Sequence, residues 1–230
     1  MKLSIVVPVL DEAAGIAGAL AALAPLRSRG AEVIVVDGGS ADATRSLAAP
    51  LADRVIESPR GRARQMNAGA QAATGEVLLF LHADTRLPPG ADRLVLEGLA
   101  ASGRDWGRFD IAIEGRSPLL PVVAAFMNAR SRLTAIATGD QALFARRAAF
   151  ESAGGFPPIA LMEDIAFCRT MRRRGPPLDL RARAVTSGRR WERRGTLRTI
   201  LLMWRLRLAY FLGADPARLA ERYGDGRAAR

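Results

Sequence analysis

Lysine is almost missing from this chain of 230 residues: Lys2 is the only one, although the formal net charge is +11. The positive charge is therefore arginine, an exchange so complete that it reflects composition bias more than function. One cysteine, Cys168, excludes an intramolecular disulfide framework and any cysteine-based zinc site, and fits a reducing compartment. Aromatic residues are only 6% of the chain, and the basic clusters Arg169–Arg174 and Arg181–Arg194 contain a single one, Trp191. Single-stranded nucleic acids are held on stacking platforms, so nucleic acid is not the expected partner; a solvated basic face or a phosphate pocket is. No apolar run reaches the roughly 18 residues of a spanning helix, and no small-residue cleavage site follows the apolar segment after Lys2. A cytosolic chain without a signal peptide is expected.

With 49% apolar residues the chain can bury one sizeable core, so one domain is expected, with a helical tail from about residue 193. Strand-like runs at Leu3–Val9, Glu32–Val36, Arg54–Glu57 and Val77–Leu81 alternate with helical patterns. Those patterns cover Ile16–Leu26, the stretch after Ser40 to Ala48, Gly61–Ala73 and Pro88–Ala101. This β-α alternation predicts an α/β fold: a doubly wound, mostly parallel sheet with right-handed crossovers, flanked by helices. The second half is less regular. Strands are expected at Phe109–Glu114, Gln141–Phe144 and Leu178–Val185, and helices at Leu119–Leu133 and Glu163–Arg174. Gly175-Pro176-Pro177 stops the second of these helices, and two more, Thr196–Leu212 and Pro216–Tyr223, form the tail.

The chemistry concentrates at strand ends. The apolar run Val77-Leu78-Leu79-Phe80-Leu81 stops abruptly in His82-Ala83-Asp84, where side chains would project into the crevice that open α/β sheets use for ligands. A carboxylate there, in a basic protein, points to a divalent cation holding a phosphorylated substrate. Capping of the next helix by Asp84 is an equally simple reading. Two further strands also end in acids, Asp11-Glu12 after the first and Asp37 after the second. Asp37-Gly38-Gly39-Ser40 offers a carboxylate acceptor and glycines that let a ligand approach the backbone, with Ser40 as the expected N-cap of the next helix. Glu163-Asp164 opens a helix, where the helix dipole alone would favour two carboxylates.

Together, Ser4–Glu12, Val35–Thr44, Asn67-Ala68-Gly69 and Leu81-His82-Ala83-Asp84 resemble the ordered motifs of family 2 glycosyltransferases of GT-A fold, over roughly residues 1–190. The resemblance is strongest to a small bacterial branch with a His-Ala-Asp-Thr motif, associated with radical-SAM and selenium-related gene clusters. It implies a nucleotide-sugar-binding half over 1–100, an acceptor and catalytic half over 101–192 and a helical tail over 193–230.

The same resemblance implies roles. Pro8, Glu12, Asp37 and Gly39 would line the base and ribose pocket of a nucleotide-diphospho-sugar, with uracil the expected base, and His82 and Ala83 would lie on the donor side. Asp84 would bind Mg²⁺ or Mn²⁺ bridging the diphosphate, a cation that neutralises the leaving group. His82 stands where the family usually has an Asp, so it would either touch the metal or hydrogen-bond nearby. Asp164 would be the general base of an inverting transfer, with Glu163 orienting it or the acceptor. Gly139-Asp140-Gln141 would contact sugar or acceptor. Ser187–Trp191 is similar to the Gln-x-x-Arg-Trp motif of processive members, with Ser187 in place of Gln; Arg190 would hold pyrophosphate and Trp191 stack on the acceptor. Arg62, with Arg60 and Arg64, is a further phosphate candidate. A nucleotidyltransferase is disfavoured because Leu10–Gly15 is no Gly-rich phosphate loop, and a protein that only binds nucleotide sugars is the remaining alternative. The tail helix Ile200–Leu212 would pack on the domain, lie on a membrane surface or form a dimer contact.

Overall fold

A computed structural model describes residues 1–224, with the side chain of Arg190 left out. Its first half alternates strands with helical segments: β1 (Leu3–Val9), α1 (Ile16–Ala21), α2 (Ala24–Arg27), β2 (Glu32–Asp37), α3 (Thr44–Ala48), β3 (Arg54–Glu57), α4 (Arg62–Ala72) and β4 (Val77–Phe80). Then follow β5 (Thr85–Arg86), α5 (Ala91–Ser102), β6 (Trp106–Glu114) and α6 (Leu120–Thr134), and a 3-10 turn over Gly139–Gln141. The chain continues through β7 (Phe144–Arg146), α7 (Arg147–Ser152), α8 (Glu163–Met171), β8 (Leu178–Ser187), α9 (Arg189–Arg194), α10 (Thr196–Phe211) and α11 (Pro216–Gly224).

All eight strands form one sheet in the order β3-β2-β1-β4-β7-β6-β8-β5. The β3-β2-β1-β4 half is parallel throughout, so the carboxyl ends of these strands share one rim. β7 reverses direction against both β4 and β6, and β5 runs antiparallel to β8, which makes the sheet mixed as expected. β1, β2 and β4 are apolar because both faces are covered. Val6, Ile34, Val36, Leu78 and Phe80 face one hydrophobic cluster, while Ile5, Val7, Val35, Leu79 and Leu81 face the other. Strand alternation of period two sends neighbours to opposite faces.

Several boundaries differ from the sequence expectation for local reasons. The single helix expected over Ile16–Leu26 is two, because Pro25 lacks an N–H and is accommodated only in the first turn of α2. α8 stops at Met171, and Arg173 and Arg174 continue in tight turn bonds to the carbonyls of Thr170 and Met171. α3 starts at Thr44 and α5 at Ala91, so neither Ser40 nor Asp84 caps the helix that follows it. The two-residue β5 and the short α9 are elements without a sequence signal.

Candidate active site

Two loops meet at the carboxyl ends of β1 and β2. Asp11 accepts the Ala41 N–H at 2.8 Å and donates its own N–H to the Ser40 hydroxyl at 2.9 Å. Glu12 donates its N–H to the Thr44 hydroxyl at 2.8 Å, and its carbonyl receives the N–H groups of Gly15 and Ile16. Pro8 is half-buried beneath these loops, in register with Val36.

Asp37 departs from its expected role. It is 1% exposed. One carboxylate oxygen accepts the N–H groups of Gly39 and Ser40, each at 3.0 Å, and the other accepts the Ser40 hydroxyl. The carboxylate is thus turned into its own loop, while Gly39 beside it is exposed. Beneath it lies Gln65, a residue that sequence reasoning missed. Its amide donates to the carbonyls of Val9 and Val36 at 2.8 and 2.9 Å, tying together the ends of β1 and β2.

Asp84 is exposed, and its carboxylate has only a long 3.5 Å contact from the Thr85 hydroxyl. Its backbone carbonyl accepts the Ser187 N–H at 3.1 Å, so the β5–β8 pairing brings the Ser187–Trp191 segment beside it. Ala83 packs half-buried against the core. No group of three or more metal-ligating side chains exists among the described residues. A hard divalent cation is often held by one or two carboxylates plus phosphate oxygens, so a lone open Asp84 fits a cation that arrives with a diphosphate.

His82 does not fit as a metal ligand. Its Nδ1 lies 3.1 Å from the Asp140 carboxylate, and its Nε2 is buried under Gly139 with no hydrogen-bond partner. The approach is so close that a Cβ on Gly139 would sit 2.4 Å from Nε2. His82 therefore anchors the turn at 139–141 to the end of β4. Gln141 corrects a second expectation: it is fully buried, donates to the Ser131 hydroxyl at 3.1 Å, and holds the turn from within instead of facing an acceptor.

The turn carries the link to the acidic pair. Gly139 donates its N–H to Asp164 at 2.9 Å, and the Ile165 N–H reaches the other oxygen at 2.7 Å. Burial raises the Asp164 pKa above its ordinary value, and the neighbouring charge of Glu163 adds to this; Arg62 and the two N–H donors oppose it. Such a carboxylate holds its proton more strongly than a free one, as a general base should. Glu163 is buried in an ion pair with Arg62. Burial works against the charge of Arg62, but Glu163, Asp164 and Asp140 outweigh it and raise its pKa. Expected as a phosphate ligand, Arg62 has its Nε committed to α8 instead. Met162, just before the pair, has a φ of 70°, a left-handed conformation uncommon for a non-glycine residue and concentrated at functional sites.

The remaining candidates separate. Arg60 and Arg64 are exposed. Trp191 packs half-buried against the cluster of Ile111, Leu120 and Val123, which occupies part of the ring expected to stack on an acceptor. The side chain of Arg190 lies outside the described residues. No helix among those described is long and apolar enough to cross a membrane.

Comparisons with known proteins bear on the family and the fold. Residues 4–150, more than half of the chain, match the sequence model of glycosyl transferase family 2. A PGL/p-HBAD biosynthesis glycosyltransferase of Mycobacterium tuberculosis is 40% identical over 91 residues, 36% of this chain and 36% of that one. The match thus spans about a third of that relative's length. Among solved structures, S. aureus TarS in complex with UDP-GlcNAc has a TM-score of 0.65 at 19% identity, over 81% of this chain and 58% of that one. The mannosyltransferase PcManGT from Pyrobaculum calidifontis, in complex with GDP-Man and Mn²⁺, has a TM-score of 0.64 at 23% identity, over 99% of this chain and 70% of that one. These likenesses are of fold.

Proposed function

The chain belongs to glycosyltransferase family 2, and we propose that it transfers a sugar from a UDP-linked donor to an acceptor hydroxyl, inverting the anomeric carbon. One observation carries this reading: the strand end that leads to the open Asp84 is tied through His82 to the turn that also holds the partly buried Asp164. His82 meets Asp140 at 3.1 Å, and the adjacent Gly139 N–H reaches Asp164 at 2.9 Å. One carboxylate is thus open to a cation, and the other, its pKa raised, is held by the N–H groups of Gly139 and Ile165.

In this reading Pro8, Glu12 and the exposed Gly39 would take the nucleoside, and the Ser187–Trp191 segment, which pairs beside Asp84, would approach the diphosphate. TarS with UDP-GlcNAc and PcManGT with GDP-Man and Mn²⁺ support a nucleotide-sugar donor and a divalent metal. Mg²⁺ or Mn²⁺ held by Asp84 would neutralise the charge of the leaving diphosphate. On the acceptor side, the hydroxyl oxygen bonds to the anomeric carbon as the carbon–oxygen bond to the diphosphate breaks, and Asp164 takes the hydroxyl proton. Glu163, paired with Arg62, holds the head of α8 in place.

Calorimetry with UDP, with and without Mn²⁺, tests the donor site. Asp84→Ala should lose the metal-dependent part of the affinity, about tenfold or more. Asp37→Ala should weaken binding as well, because it releases the loop that carries Gly39. Unchanged UDP affinity in both folded variants would sink the nucleotide-sugar reading.

A further inference from the structure

Arg27, Arg29, Arg62 and Arg132 are all paired with carboxylates. Arg130, on α6, is not: its Nε and Nη2 are shut from solvent with no hydrogen-bond partner. Burial lowers its pKa, with the charge of Asp164 opposing that shift. A half-buried guanidinium with no carboxylate paired to it is suited to bind an oxyanion.

The surroundings say where the anion would sit. Arg130 lines a cavity of about 210 Å³ between α6, α8 and α10, together with Arg169, Arg172, Arg207, Ile165 and Phe211. Four arginines converge on it, and no carboxylate among the described residues lines it. Arg169 lies over the Phe211 ring at 5.8 Å, and Arg172 reaches only the Thr134 carbonyl, at 3.3 Å. Ile165 directly follows Asp164, so the cavity and the proposed base share the first turn of α8. Sites for whole small molecules usually run from about 300 to 1,000 Å³, so this one suits a charged headgroup better than an entire acceptor.

We propose that this cavity is the anion subsite of the acceptor: it takes a phosphoryl group carried by the molecule that receives the sugar, with Arg130 reading that group. The assignment of the group to an acceptor rests on the transferase reading above. A planar guanidinium grips phosphate oxygens in pairs, which gives both affinity and orientation. The phosphoryl group has two sources, a soluble phosphorylated acceptor or a lipid headgroup. Phe211 belongs both to the cavity wall and to an exposed apolar stripe on α10 that includes Leu201, Trp204 and Leu208.

The test uses the full chain, with inorganic phosphate as the calorimetric probe and UDP with Mn²⁺ as a control on the same preparations. Flotation with phosphatidylcholine vesicles, with and without phosphatidylglycerol, separates the two sources. Arg130→Met keeps the side-chain bulk, and the double variant Arg169→Ala/Arg207→Ala serves if that substitution disturbs folding. Phosphate affinity should fall about tenfold or more in either variant, while UDP affinity holds. If anionic-vesicle flotation falls with it, the occupant is a headgroup; if flotation is absent or unaffected, it is a soluble phosphorylated compound. Either result supports the subsite. Equal phosphate affinity in wild type and both variants, or none in wild type, overturns it. Failure of UDP binding alone would count against the transferase reading and leave the subsite standing.

Discussion

Asp164 is the residue whose surroundings say most about chemistry. Burial and the charge of Glu163 push its pKa up, so the ionised form that can take a proton accumulates only above the ordinary carboxylate range. Turnover, followed as release of nucleoside diphosphate, should therefore rise with pH along a limb displaced upward from that range. Asp164→Asn keeps the shape but cannot take the proton; the rate should drop about 10²–10⁴-fold and the limb should vanish, with donor affinity little changed. A limb that survives in the variant would remove Asp164 from the mechanism. The resemblance of the upstream motifs to family 2 glycosyltransferases made this residue a candidate, since its place at a helix start alone would be explained by the helix dipole. The ion pair of Glu163 with Arg62 joins residues 101 apart and was not legible there.

At the scale of elements, two close approaches matter. α4 crosses β1 and β2 at Gly69, where a Cβ would come within 2.3 Å of Val6 and 2.9 Å of Val36. Gly69→Ala should destabilise the fold by ~1–3 kcal/mol, visible as a lower Tm. Asn67, two residues before, accepts the Phe156 N–H at 2.9 Å and donates to the Phe156 carbonyl at 2.8 Å. The Asn67-Ala68-Gly69 motif thus seats a helix and fixes a distant loop. The second approach is the 3-10 turn on His82. Gly139→Ala would drive His82 and the turn apart, and the N–H held by Asp164 would move with them. Turnover should fall well beyond any loss of UDP affinity; equal losses in both would mean that the turn serves the donor site alone.

For the whole molecule, acid is the expected weak point. Asp53 is held below its ordinary pKa by Arg27, and Asp92 by Arg29. Burial pushes Glu32 up, but the Ser4 and Thr74 hydroxyls and the Thr74 N–H outweigh it, so its pKa is lowered. Each folded value lies below the unfolded one, so the stability they contribute is complete above the ordinary carboxylate range and is lost as pH falls through the folded values. Tm should decline from about pH 5 downward, and Asp53→Asn should flatten that decline. An unchanged slope in Asp53→Asn would show that the Arg27 pair is not part of it. Asp53 also accepts the Val33 N–H at 2.7 Å, so it braces β2 as well as pairing with Arg27.

Sequence alone determined the parallel half of the sheet and the rim on which Asp11, Glu12, Asp37 and Asp84 stand. Both follow from local periodicity: buried strands are continuous apolar runs, and a βαβ unit closes in only one hand. Tertiary structure decided which of those polar residues stay open and which turn inward. Asp37 turned inward because its loop offered two N–H groups and a hydroxyl within four residues, all better partners than water once buried. His82 went to Asp140, 58 residues away, and Gln141 into the core, because β7 reverses beside β4 and lays the 139–141 turn on the strand end. Arg130 reached its cavity only through the packing of α6, α8 and α10. No spacing along the chain encodes such meetings; they depend on which surfaces the two hydrophobic clusters press together.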